Sequence, residues 1–194
     1  ADGNINAAKK LYIKYPNINI SANNEWAFRL ACCNGHLEVA KWLLEIKPNI
    51  DISAANEYAF IFACYNCHFN IIKWLFEIKP DIDFSTFNGA FRLACTKGHL
   101  NVAKFLLELN PDINTSENYE YAFYSACFNN NLEVAKWLLK IKQNISINPY
   151  NERVFKRSNL HIKKWLAHYI PYYDARCLKI IQKIDTCFDL FDLI

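Results

Sequence analysis

The segment Cys64-Tyr65-Asn66-Cys67-His68 holds the residues of this chain best suited to chemistry. Cys-x-x-Cys-His is the spacing of covalent haem attachment, and its Cys pair alone is half of a zinc site. His36, His68 and His99 form a second candidate set, as a row of bases or metal ligands. Trp42, Trp74 and Trp137 form a third, as a stacking platform for bases or glycans. Eight Cys among 194 residues raise a disulfide framework as a fourth reading.

The elements that would have to position these residues are repeats. Residues 34–50 read NGHLEVAKWLLEIKPNI, 66–82 NCHFNIIKWLFEIKPDI, 97–113 KGHLNVAKFLLELNPDI and 129–145 NNNLEVAKWLLKIKQNI. A second block precedes each: NEWAFRLAC at 24–32, NEYAFIFAC at 56–64, NGAFRLAC at 88–95 and YEYAFYSAC at 119–127. The aromatic column Trp42, Trp74, Phe105, Trp137 steps by 32, 31 and 32, the short step coming from a residue missing near Asn88–Gly89.

Against this pattern the chemical motifs lose their convergence. Cys64 shares a column with Cys32, Cys95 and Cys127, His68 shares one with His36 and His99, and only Cys67 is new. A stack of repeats translates its columns and does not focus them on one atom. Neighbouring members lie about 10 Å apart, the spacing of packed helices, which is too far for a disulfide. The columns therefore predict no metal, no cofactor and reduced thiols in an intracellular, cytoplasmic setting. The histidines are expected to donate to loop carbonyls and the tryptophans to be core.

Each unit carries two helical patterns. In the second, Leu37, Val39, Ala40, Leu43 and Leu44 share one face, while Glu38, Lys41 and Glu45 point away. Pro48, Pro80 and Pro111 follow the last apolar turn and stop the helix. IDISAANE and INTSENYE alternate briefly and then turn, which predicts hairpin-like connectors. Two helices of this size cannot bury their own apolar faces, so the units must stack as an all-α solenoid of helix pairs.

The block GHLEVAKWLLE at 35–45 resembles the second helix of the ankyrin repeat, and the block before it takes the place of that family's T-P-L-H-x-A-A. The resemblance covers about residues 8–147. Trp26-Ala27, Tyr58-Ala59 and Tyr121-Ala122 replace the family's Thr-Pro, and Asn24 and Asn56 replace its hairpin Gly. The inter-helix Gly is kept at Gly35 and Gly98 but becomes Cys67 and Asn130. This low-glycine, Asn-, Ile- and Lys-rich dialect is similar to the ankyrin proteins of large DNA viruses that infect amoebae.

The expected organisation is one repeat domain over 1–194. It comprises a partial repeat at 1–20, four full repeats at 21–147, a degenerate repeat at 148–170 and a capping helix at 171–194. Residues 153–183 set Arg153, Lys156, Arg157, Lys163, Lys164, Arg176, Lys179 and Lys183 against Asp174 alone, within a net charge of +3. That basic segment reads first as the solvated polar face of a terminal repeat, with nucleic-acid contact or viral assembly as the alternative. Residues around Ile170-Pro171 and Leu178–Ile181 resemble, faintly, an F-box-like tail of a ubiquitin-ligase substrate adaptor.

Catalysis has no support. Four Gly leave none for a phosphate loop, and no Gly-x-Ser-x-Gly, His-Glu-x-x-His or calcium-loop pattern occurs. No stretch approaches the roughly 18 uninterrupted apolar residues of a membrane helix. The resemblance implies a non-enzymatic scaffold, expected as a monomer, that binds a protein partner (a host protein if viral) through a concave surface. The family's variable contact positions fall on Asn23, Glu25, Cys33 and Asn34, then Ala55, Glu57, Tyr65 and Asn66. They continue at Thr86, Phe87, Thr96 and Lys97, then Asn118, Glu120, Phe128 and Asn129. Tyr65, Phe87 and Phe128 are the expected exposed anchors.

Overall fold

The computed structural model describes residues 4–113, 116–142 and 158–169, and among them every regular element is helical. α1 (Ile5–Lys14) is followed by four pairs. These are α2 (Ala22–Cys33) with α3 (Leu37–Ile46), α4 (Ala54–Tyr65) with α5 (Phe69–Ile78), α6 (Phe84–Lys97) with α7 (Leu100–Leu109), and α8 (Ser116–Phe128) with α9 (Leu132–Ile141). A 3₁₀ turn at Pro111–Ile113 joins the third pair to the fourth, and α10 (Leu160–Tyr169) ends the described chain. The second helices stop at Ile46, Ile78 and Leu109, just before the prolines.

Stacking runs through the first helices. α2, α4, α6 and α8 pack on one another in series, and each packs on its own second helix. Close approach is allowed because the contact columns are small: Ala31, Ala63, Ala94 and Ala126 beside Cys32, Cys64, Cys95 and Cys127, all buried. One large ring per repeat fills the remaining space. Phe28, Phe60, Phe91 and Phe123 are almost fully buried. Three of them meet the tryptophan of the next repeat, Phe28–Trp74 at 6.2 Å, Phe91–Trp137 at 6.3 Å and Phe123–Trp165 at 6.4 Å between centroids. Trp42, Trp74, Phe105 and Trp137 are half-buried against this core, as expected of them. Each such Phe contributes about 2–3 kcal/mol through burial.

The turn inside each pair repeats one hydrogen-bond pattern. His36, His68, His99 and Asn131 donate their backbone N–H to the carbonyls of Ala31, Ala63, Ala94 and Ala126 at 2.8–2.9 Å. The preceding residue is left-handed in every copy: Gly35, Cys67, Gly98 and Asn130, with φ of 80°, 61°, 82° and 63°. This closure requires a positive φ at that position, which is why the family favours Gly there.

Among the described residues the connectors between pairs contain no strand and are built from turns. In the first two repeats three successive residues are left-handed, Asn23, Asn24 and Glu25, then Ala55, Asn56 and Glu57, with φ between 55° and 58°. The third repeat has no such turn. Asp83 caps α6, its carboxylate accepting from the Thr86 N–H at 2.9 Å, and the helix runs unbroken into the core. The third repeat, which lacks a residue near Asn88–Gly89, thus enters its pair as a straight helix. The expected capping helix at 171–194 and most of the basic segment lie outside the described residues.

The left-handed positions give a paired prediction on stability. Gly98→Ala places a Cβ 2.6 Å from Asn131 Oδ1 at φ +82° and should cost about 1–2 kcal/mol. Cys67→Gly relieves the same strain and should gain about 0.5–1 kcal/mol. Urea unfolding reads both, and equal signs for the two would contradict this account of the turn.

Candidate functional site

The Cys-x-x-Cys-His segment does not assemble a reactive centre. Cys64 ends inside the α4 contact with its neighbours, whereas Cys67 sits exposed in the left-handed turn after that helix. Burial pushes the Cys64 thiol up, with a smaller contribution from Cys67. Burial likewise raises Cys95, and it moves Cys32 and Cys127 to about 12. A thiol so placed stays protonated and acts as a small apolar side chain. Among the described residues no three His, Cys, Asp or Glu side chains gather as metal ligands.

The polar residues of the loops tie each repeat to the previous one. His99 Nε2 donates to the Tyr65 carbonyl at 2.9 Å, the role expected of that residue. Asn131 Nδ2 donates to the Thr96 carbonyl at 2.7 Å, Asn66 Nδ2 to the Cys33 carbonyl at 2.9 Å, and Ser158 Oγ to the Cys127 carbonyl at 3.1 Å. These bonds satisfy carbonyls at the C-terminal ends of the first helices, which lack partners within their own helix.

The face of the first helices opposite the core carries a row of half-buried and exposed aromatic residues. On α4, Ala59, Phe60, Ala63 and Cys64 are buried, so the 3.6-residue period turns Tyr58, Phe62 and Tyr65 outward. Tyr58 stacks on Phe62 at 4.0 Å, and Phe62 leans on Tyr65 at 5.8 Å. Cations sit on the ends of this row. Arg29 lies between the rings of Trp26 and Tyr58 at 5.3 and 4.9 Å, and Lys97 lies over Tyr65 at 4.3 Å. Further along, Arg92 lies over Tyr121 at 5.0 Å. Cation–π contacts of this kind contribute about 0.5–2 kcal/mol each.

Several sequence-predicted contact residues lie on this surface and others do not. Tyr65 is half-buried in the aromatic row, Lys97 is exposed beside it, and Phe128 is 42% exposed. Asn34, Asn66 and Asn129 are exposed at the helix ends. Asn34 and Asn129 donate back to the carbonyls of Leu30 and Ser125, at 2.8 Å in each case. Asn23 and Ala55 are exposed within the left-handed turns, and Cys33, Thr96 and Glu120 are half-buried. The side chain of Asn118 lies outside the described residues.

Phe87, Thr86, Glu25 and Glu57 are corrections. Phe87 is only 3% exposed, packed edge-on against Phe60 at 5.7 Å and Phe76 at 6.2 Å, because the straight entry of α6 drives it inward. Thr86, one turn inside the same cap, is buried with it. Glu25 and Glu57 are buried because the left-handed turn folds them under the helix. There Glu57 meets Lys79 at 3.5 Å and Glu25 meets Lys47 at 4.0 Å.

Trp26, Arg29, Tyr58, Phe62, Arg92 and Tyr121 were missed by position-by-position mapping. The aromatic residues at 58, 62 and 65, spaced i, i+4, i+7 on the polar side of the helix, were the available signal.

Two family models match the chain, one described as ankyrin repeats (3 copies) over residues 1–88 and one as ankyrin repeats (many copies) over residues 91–139. No curated protein matches it. No helix among the described residues is long and apolar enough to cross a membrane.

Thiol chemistry separates the buried column from the exposed sites. Alkylation of the native chain at pH 8, located by mass spectrometry, should modify Cys67 first. Cys32, Cys64, Cys95 and Cys127 should react only after unfolding; rapid native labelling of any of the four would contradict their placement.

Proposed function

Because the chain belongs to the ankyrin-repeat family, whose repeats are in general protein–protein interaction modules, we propose that it is a non-enzymatic scaffold docking one partner protein on the outer face of α2, α4, α6 and α8. The observation that carries this reading is the aromatic row with its cations. Trp26, Tyr121 and Phe128 expose 42–54% of their surface on a face otherwise lined by polar helix ends. Large rings already held in place by neighbours lose little side-chain freedom on binding, which suits them as anchors. Arg92 and Lys97 have ring partners and no carboxylate partner among the described residues, so their charge stays available to a partner.

The Asn-, Ile- and Lys-rich composition, similar to that of ankyrin proteins from large DNA viruses of amoebae, supports a host protein as the partner and the host cytoplasm as the place of encounter. The contact set retains Asn23, Cys33, Asn34, Ala55, Tyr65, Asn66, Thr96, Lys97, Glu120, Phe128 and Asn129, with Asn118 at the corresponding position of α8.

The test uses the full chain as bait, then the identified and repurified partner in calorimetry. Tyr65→Ala with Phe128→Ala should weaken binding at least ~10-fold, about 1.4 kcal/mol. Unchanged affinity in a double variant of normal melting temperature would move the contact to the face of the second helices.

A further inference from the structure

The first two repeats hold the same strained turn but support it differently. Asn23, Asn24 and Glu25 match Ala55, Asn56 and Glu57 within a few degrees in φ. In the first repeat Arg29 supports the turn from within. Its Nε donates to the Asn24 carbonyl at 2.7 Å and its Nη2 to the Asn23 carbonyl at 2.8 Å, and the side chain is buried. In the second repeat the same position is Ile61, which can donate nothing. Among the described residues no side chain donates to the carbonyls of Ala55 and Asn56.

At that place the structure has a cavity of about 460 Å³ between the second and third repeats, lined by Asn56, Glu57, Ile61, Asp83, Ser85 and Thr86 among others. Its surroundings are open where the first repeat is closed. Arg29 is covered by rings at positions 26 and 58, but the position that follows Tyr58 in this column is Gly89. A Cβ on Gly89 would meet nothing within 4 Å. The cavity is also acidic. Glu57 is balanced by Lys79, whereas Asp83 has only Ser85 and Thr86 as partners and no cation among the described residues. Those hydrogen bonds, chiefly from Ser85, hold the Asp83 carboxyl down at about 2, so it is charged at neutral pH.

We propose that this cavity is an arginine-recognition site, taking a guanidinium from the partner protein in the place that Arg29 fills in the first repeat. The template favours arginine over lysine, because adjacent carbonyls met by Nε and Nη2 match a planar fork and not a single ammonium. Asp83 supplies the opposite charge at the rim. The site rests on the scaffold reading for the source of its arginine, but its own binding can be measured without any partner protein.

The ¹⁵N-labelled chain is titrated with N-acetyl-argininamide and, separately, with N-acetyl-citrullinamide, which keeps the shape and loses the charge. Saturable shifts confined to residues 53–57 and 83–86, at least ~10-fold tighter for the arginine probe, are expected. Ile61→Arg should abolish them by filling the cavity from within the chain. Asp83→Asn, which keeps the helix cap, should weaken binding several-fold and carries the test if Ile61→Arg does not fold. Equal response to both probes, no saturable response, or full binding by a folded Ile61→Arg chain would overturn the proposal. Such a failure leaves partner binding through Tyr65 and Phe128 standing, since that is read on the partner itself.

Discussion

No helix pair in this chain can bury its own apolar face, and the placement of one phenylalanine per repeat answers that constraint. Phe28, Phe60, Phe91 and Phe123 are almost completely buried between neighbours, so each repeat completes the core of the next. The small Ala and Cys columns follow from it, because only small side chains let the first helices approach closely enough to enclose the ring. The half-buried tryptophans of the second helices close the same space from the other side. Stability of this kind is a sum over neighbours, which leaves the outward face of the first helices free to vary without cost to the core.

The polar features serve the same stacking. Side chains of Asn66, His99, Asn131 and Ser158 reach back to carbonyls of the preceding repeat, so helix ends that would otherwise lose water gain a partner. The entry to each pair is solved in two ways. The first two repeats bend through a left-handed turn and bury a glutamate beside a lysine. The last two enter as continuous helices and bury an aromatic ring instead, Phe87 against Phe60 and Tyr119 against Phe91. The result is an uneven face, with a cavity where one solution gives way to the other.

The repeat columns made most of this legible in advance. The repeat pattern placed the Trp column in the core and showed that the Cys-x-x-Cys-His segment was a coincidence of two columns with one substituted turn residue, whereas the buried Phe column was not singled out. What spacing could not show was the direction of the chain between pairs. The burial of Glu25 and Glu57 depends on backbone φ values that Asn tolerates but does not announce, and on lysines in the following connector. Phe87 was misplaced for a related reason. A missing residue reads as a shortened loop, whereas Asp83 supplies a cap and lets the helix grow backward through it. The cations over Tyr65 and Tyr121 come from the neighbouring helix, or from the preceding one, so no single-repeat pattern contains them.

The most direct test of the account is hydrogen exchange on the full chain, free and bound to its repurified partner. Added protection should fall on α2, α4, α6 and α8 and on the turns at 23–25 and 55–57. Protection concentrated on α3, α5, α7 and α9, with the first helices unchanged, would contradict it.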